Sequence, residues 1–189
     1  MLSFGRAEPY KGFDDLLGAL TELRASGVPV PHTVMAAVSE DHQLTAYQQH
    51  LANRICIAHL DVTLLTNFNP EIRTLLSHSA IAAVVVPSRA EPFGRIPLEA
   101  FAAGAVPVIA TAVGGLAEQV HDQITGYTAQ PADSRSLAAA IGRGLCMTAR
   151  ARETMRAAAR SLLAARYDYA ANITAFMQQN APWAMTRSG

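Results

Sequence analysis

The chain has 189 residues, half of them hydrophobic and 16% charged, and its fifteen basic and fifteen acidic side chains leave a formal charge of zero. That length fits one domain with a sizeable core, and a zero balance without a basic block argues against a nucleic-acid partner. No apolar run reaches membrane-spanning length, no signal peptide is visible, and two cysteines, Cys56 and Cys146, make no disulfide framework, so a reducing cytoplasm is the expected setting.

In chain order, Leu2 to Phe4 reads as a short strand ending at Gly5. Phe13, Leu16, Leu17, Leu20 and Leu23 recur at helical spacing, and Gly27 follows as a stop. Thr33 to Val38 reads as a buried strand, residues 41–53 as a polar helix, Ile55 to Ala58 as another strand, and 61–69 as a loop. Pro70 opens a helix to Ser77. Ala82 to Val86 is a strand, Ile96 to Ala103 a helix, Val106 to Ala110 a strand, Leu116 to His121 a short helix and Tyr127 to Ala129 a last strand. Asp133 or Ser134 caps a helix over 135–147, and residues 150–166 and 169–179 are helical. This alternation predicts an α/β fold with a doubly wound, Rossmann-like parallel sheet. No G-x-G-x-x-G follows the first strand, and there is no P-loop, G-x-S-x-G elbow or D-x-D triplet. The histidines lack ligand spacing and C-x-x-C is absent, so neither a metal nor a cofactor is expected.

The most informative stretch is Pro87 to Ala100. Glu91 lies on the loop beyond a strand's carboxyl end, and Glu99 in the first turn of the next helix, which Pro97 favours. Ligands bind at such strand ends, and a helix start suits phosphate. Two carboxylates beside an anion site are chemically sensible as acceptors for hydroxyl groups, such as those of a ribose and a sugar. The cations are lopsided: fourteen of fifteen are arginine, leaving Lys11 the only lysine. It is kept either for the chemistry of a compact ammonium or by chance.

The block from Glu91 to Thr111 resembles the E-x7-E signature of retaining GT-B glycosyltransferases, closest to their large family 4 (glycosyl transferases group 1), with glycogen synthases more distant. Phe4 to Phe13 is similar to that family's G-R-x4-K-G element, and Gly114-Gly115-Leu116-Ala117-Glu118 and Thr125-Gly126 match two later signatures. The resemblance spans residues 2–145. It implies the C-terminal, donor-binding domain of an enzyme that moves a sugar from a nucleoside diphosphate sugar to an acceptor hydroxyl, independently of metal. Residues 1–166 would form the nucleotide-sugar-binding domain. Residues 167–189 would be a helix and tail that cross to a missing N-terminal acceptor domain. Arg6 and Lys11 would neutralise the diphosphate, with Gly5 and Gly12 letting backbone approach it. Glu99 would accept from the ribose diol, and Glu91 would serve the donor sugar. Phe93 and Gly94 would offer backbone N–H groups, and Leu98 and Thr111 complete the expected donor contacts. Arg95 has two readings, a phosphate ligand or a surface partner of Glu91 or Glu99. His59 has two as well, a residue near the base or a plain loop histidine. Gly104, Pro107, Gly114 and Gly115 are expected to serve turns. Gln123 stands where similar sequences carry glycine.

The isolated domain is expected to bind donor weakly, transfer little and self-associate, and the whole enzyme to be a candidate for peripheral membrane contact. The rival readings are a non-catalytic nucleotide-sugar-binding or interaction module and a GT-B-like sugar-nucleotide epimerase. The paired signatures speak against the epimerase.

Overall fold

The computed structural model describes residues 1–40 and 43–184. Six strands form one parallel sheet: β1 (Leu2–Arg6), β2 (Thr33–Ser39), β3 (Val62–Asn67), β4 (Val84–Val86), β5 (Val108–Thr111) and β6 (Gly126–Ala129). Their spatial order is 3-2-1-4-5-6, so the winding reverses between β1 and β4. The helices are α1 (Phe13–Ala25), α2 (Ala46–Ile57), α3 (Ile96–Ala103), α4 (Gly114–Gln119), α5 (Ser134–Leu145), α6 (Ala149–Arg166) and α7 (Tyr169–Asn180). Short 3₁₀ helices cover Pro9–Lys11, Pro70–Ser77 and Pro182–Ala184.

Strand alternation divides the core into two layers. Val85 and Ile109 point to the side covered by α1, α2 and α5, through Phe13, Leu16, Leu17, Leu51, Leu137 and Ile141. Val84, Val86, Val108 and Ala110 point to the other, where Leu76, Phe101, Leu116 and Ala159 cover them. Burying such a side chain contributes about 1.5–3 kcal/mol, so strands apolar on both faces can form only where helices flank both. The expected fold class is therefore observed.

Two adjacent elements differ from the sequence expectation. Ile55 to Ala58 is not a strand but the end of α2. A reciprocal capping box starts that helix: Gln48 N–H donates to the Thr45 hydroxyl at 3.2 Å, and Thr45 N–H donates to the Gln48 side-chain oxygen at 2.9 Å. The same buried amide donates to the Ala37 carbonyl at 2.7 Å and to Thr66 at 2.8 Å, fixing α2 against β2 and β3. Asp41 and His42, at the start of the predicted polar helix, lie outside the described residues.

The stretch read as a loop over 61–69 is instead the edge strand β3. It pairs with β2 from Thr33 opposite Val62 to Ser39 opposite Asn67, and only Val62 and Leu64 pack on the core. Its half-exposed face hid it. His59 consequently precedes β3 at the amino-terminal end of the sheet, with φ 49°, and is remote from the strand ends where a base would lie.

α7 stands apart. None of its residues is buried, none belongs to either core layer, and Tyr169, Ile173 and Phe176 are exposed. No helix among the described residues is long and apolar enough to cross a membrane.

Candidate functional site

An open cleft of about 1080 Å³ lies at the carboxyl ends of β1, β2 and β3 and below the loop that follows β4. This is the reversal point of the sheet, where neighbouring loops diverge and leave a crevice. Gly5, Arg6, Lys11, Glu91, Phe93, Gly94, Arg95 and Glu99 all line it. Sequence positions 80 residues apart are thus brought together.

Two ion pairs organise the walls. Lys11 donates to Glu91 Oε2, and both side chains are only about 15% exposed. The Ser88 hydroxyl lies 3.5 Å from the same carboxylate oxygen. Across the cleft, Arg73 Nε donates to Glu99 Oε2 at 3.0 Å. Arg6 is exposed and donates to the Tyr10 hydroxyl at 2.7 Å. Arg95 precedes the first turn of α3 with its side chain exposed. Both carboxylates suggested as its surface partners are paired with other cations, so the structure does not bear out that reading.

The loop carrying Glu91 rests on a pad of two glycines. Gly114 has φ 44°, and a Cβ there would overlap the Glu91 carbonyl. A Cβ at Gly115 would overlap the Phe93 carbonyl, and Gly115 N–H donates to Glu91 O at 3.1 Å. The side-chain amide of Gln119 donates to the Phe93 carbonyl at 2.7 Å. These glycines therefore serve close backbone packing under the loop, beyond the turn role expected of them.

Three predicted donor-contact residues do not line the cleft. Thr111 is buried, and its hydroxyl donates to the Ser88 carbonyl, so it holds the loop after β4. Leu98 packs into the second core layer. Gly12, at φ 71°, lets the loop after β1 approach the loop after β4: a Cβ there would overlap the Pro87 carbonyl. Their contribution is to the walls.

Several lining or supporting residues escaped the sequence reading. Phe68 places an exposed aromatic ring at the end of β3, a position legible only once that strand is located. Arg73 lies on the 3₁₀ helix and looks like any surface arginine in sequence.

Behind the cleft, Asp15 on α1 takes a two-pronged hydrogen bond from Arg89, at 2.7 and 2.8 Å, which raises the guanidinium's pKa. The neighbouring Asp14 accepts from Tyr47, His50 and Arg54 at 2.8 Å each. Burial pushes the Asp14 carboxyl up, but those hydrogen bonds outweigh it and the pKa falls below 3.8. Among the described residues, no three His, Cys, Asp or Glu side chains gather as a metal cluster.

The model of the family "Glycosyl transferases group 1" matches residues 1–162. The glycogen synthase of Mycobacterium tuberculosis is 36% identical over 181 residues, covering 94% of this chain and 41% of that protein. Sucrose-phosphate synthase from Thermosynechococcus elongatus superposes with a TM-score of 0.79 at 30% identity, over 99% of this chain and 46% of that one. Anabaena HepE, solved in complex with UDP and glucose, superposes at 0.74 with 26% identity, over 97% of this chain and 47% of its own. The chain thus spans less than half the length of each of these proteins. With the family match running across both site loops and the whole of the sheet, this chain belongs to the glycosyl transferases group 1 family.

Proposed function

We propose that this chain is the donor-binding half of a metal-independent, retaining sugar transferase, and that its cleft holds a nucleoside diphosphate sugar. The observation that carries the reading is the meeting of two cations from the loop after β1, Arg6 and Lys11, with two carboxylates from the loop and helix after β4, Glu91 and Glu99, in one crevice.

A diphosphate would take its charge complement from Arg6, Lys11 and Arg95 and from the first turn of α3. As the glycosidic bond breaks, negative charge grows on the leaving diphosphate. Cations gathered on that side of the cleft would stabilise that charge. Glu99, oriented by Arg73, would accept from the ribose diol. The exposed ring of Phe68 offers the base an apolar face. Glu91 would bind sugar hydroxyls and balance oxocarbenium-like charge at the anomeric carbon, on the same side as the departing phosphate. The UDP and UDP-glucose complexes of HepE support a uridine donor over other bases.

A thermal-shift screen of UDP-, GDP- and ADP-sugars, each with and without EDTA, tests the proposal, because a ligand that binds the folded state raises the melting temperature. The expected result is a rise with UDP-glucose that EDTA leaves in place. No shift with any nucleoside diphosphate sugar at millimolar concentration would reject the reading, and strict dependence on Mg²⁺ would reject its metal-independent form.

A further inference from the structure

Lys11 and Glu91 reach each other from loops that belong to different halves of the sheet. Nothing in either loop alone fixes their separation. Three contacts away from the cleft join the two loops.

The first is the fork of Arg89 on Asp15, whose side chain is 10% exposed in the first turn of α1. The second is the Arg89 N–H, which donates to the Tyr10 carbonyl at 2.7 Å. The third is Gly12 against the Pro87 carbonyl, an approach that leaves no room for a Cβ. Arg89 thus holds α1 with its side chain and the turn before Lys11 with its backbone, two residues before Glu91 in the chain. Neither Asp15 nor Arg89 lines the cleft.

We propose that Asp15 and Arg89 form a clamp that sets the position of Lys11 relative to Glu91, and through it the preference of the cleft for a diphosphate over a monophosphate. The pair acts as positioning residues. A planar guanidinium on a carboxylate constrains orientation as well as distance, which an isolated charge would not. With the clamp released, the loop after β1 keeps its cations but loses their register, and the group meeting the second phosphate suffers most. The second part of this inference rests on the proposed function; the first does not.

Lys11 being the only lysine makes the clamp observable without a ligand. Carbon-13 lysine labelling gives one side-chain resonance, which reads the ammonium's environment. The variants are Asp15→Asn and Arg89→Gln, with Glu91→Gln as the reference for an unpaired Lys11. Asp14→Asn is the control, because Asp14 has its partners on α2 instead. The expected result is that both clamp variants shift the Lys11 signal toward its position in Glu91→Gln, while Asp14→Asn leaves it in place. Calorimetry with UDP and UMP should then show the diphosphate weakened about tenfold and the monophosphate by less than about twofold.

An unchanged Lys11 signal in both folded variants overturns the clamp. An equal loss of UDP and UMP affinity, which is what a general loosening of the domain would give, overturns its role in the preference for a diphosphate. If the unmutated chain binds neither nucleotide, the proposed function fails, and the lysine signal still decides the clamp.

Discussion

Replacing Glu91 by glutamine separates the two carboxylates more sharply than any other change. The substitution keeps shape and removes one negative charge from a group that is 14% exposed and paired with Lys11. In the free protein that pair occupies the ammonium a diphosphate needs. For a phosphate charge taken at about 7 Å and an effective dielectric of about 20, a carboxylate opposes it by about 2 kcal/mol, and partial solvent screening reduces this to about 1 kcal/mol. Glu91→Gln should therefore bind bare UDP about fivefold more tightly than the unmutated chain does. UDP-glucose meets the opposite effect, because its sugar hydroxyls lose a charged acceptor worth about 1.5–3 kcal/mol. The ratio of UDP-glucose to UDP affinity should fall by about tenfold or more. Isothermal titration of both ligands measures it, with Glu99→Gln alongside. That variant should weaken both ligands together, since the ribose is common to them. Weaker UDP binding in Glu91→Gln, matching the loss of UDP-glucose, would refute the division of roles between the two carboxylates.

Lys11→Ala should weaken nucleoside diphosphate binding by about 10- to 100-fold in calorimetry, the value of one charge-assisted contact, and EDTA should change neither number. Gln123 occupies the left-handed region at φ 62° with its side chain exposed, so Gln123→Gly should stabilise the fold by about 1 kcal/mol and raise the melting temperature by about 2–4 °C in calorimetric scans. Burial pushes the Asp122 carboxyl up, but hydrogen bonds from Arg143, Thr128 N–H and Gln123 hold its pKa below 3.8. Its stabilisation is thus complete above that pH and lost as pH falls through the lowered value, so the melting-temperature gap between the unmutated chain and Asp122→Asn should close on acidification below about pH 4. The exposed apolar side chains of α7 should drive self-association, and Ile173→Glu with Phe176→Glu should lower the mass measured by light scattering.

How much of this could be read in advance depended on the range of the interaction. Val84 to Val86, the α3 start at Ile96 and the periodic leucines of α1 are local patterns, and each forms the element its pattern implies. The site's chain-local content was legible too, because a strand end followed by a helix start fixes where Glu91 and Glu99 go. The apolar run from Ile55 to Ala58 mimics a strand, but the cap upstream of it decides the structure. Thr45-x-x-Gln48 was present in the sequence and starts a twelve-residue helix that ends at Ile57. Arg73 on Glu99 and Arg89 on Asp15 carried no such signal. Each joins residues 26 and 74 positions apart, respectively, and in sequence both arginines read as ordinary surface charges.

The strand order has a kinetic consequence. β1, made first, sits in the middle of the sheet between β2 and β4, and Leu2 lies opposite both Val34 and Val84. A chain emerging from the ribosome can assemble β1, β2 and β3 with α1 and α2 early, from neighbouring segments. The other edge of β1 then waits until residue 84 has been made, and α1 waits longer for α5. Such long-range closures slow folding and leave an apolar strand edge transiently open to other chains. The cleft does not exist in that interval, because one of its walls follows β4. Capture of a nucleotide by nascent or refolding chains would therefore time the docking of the second half of the sheet onto the first.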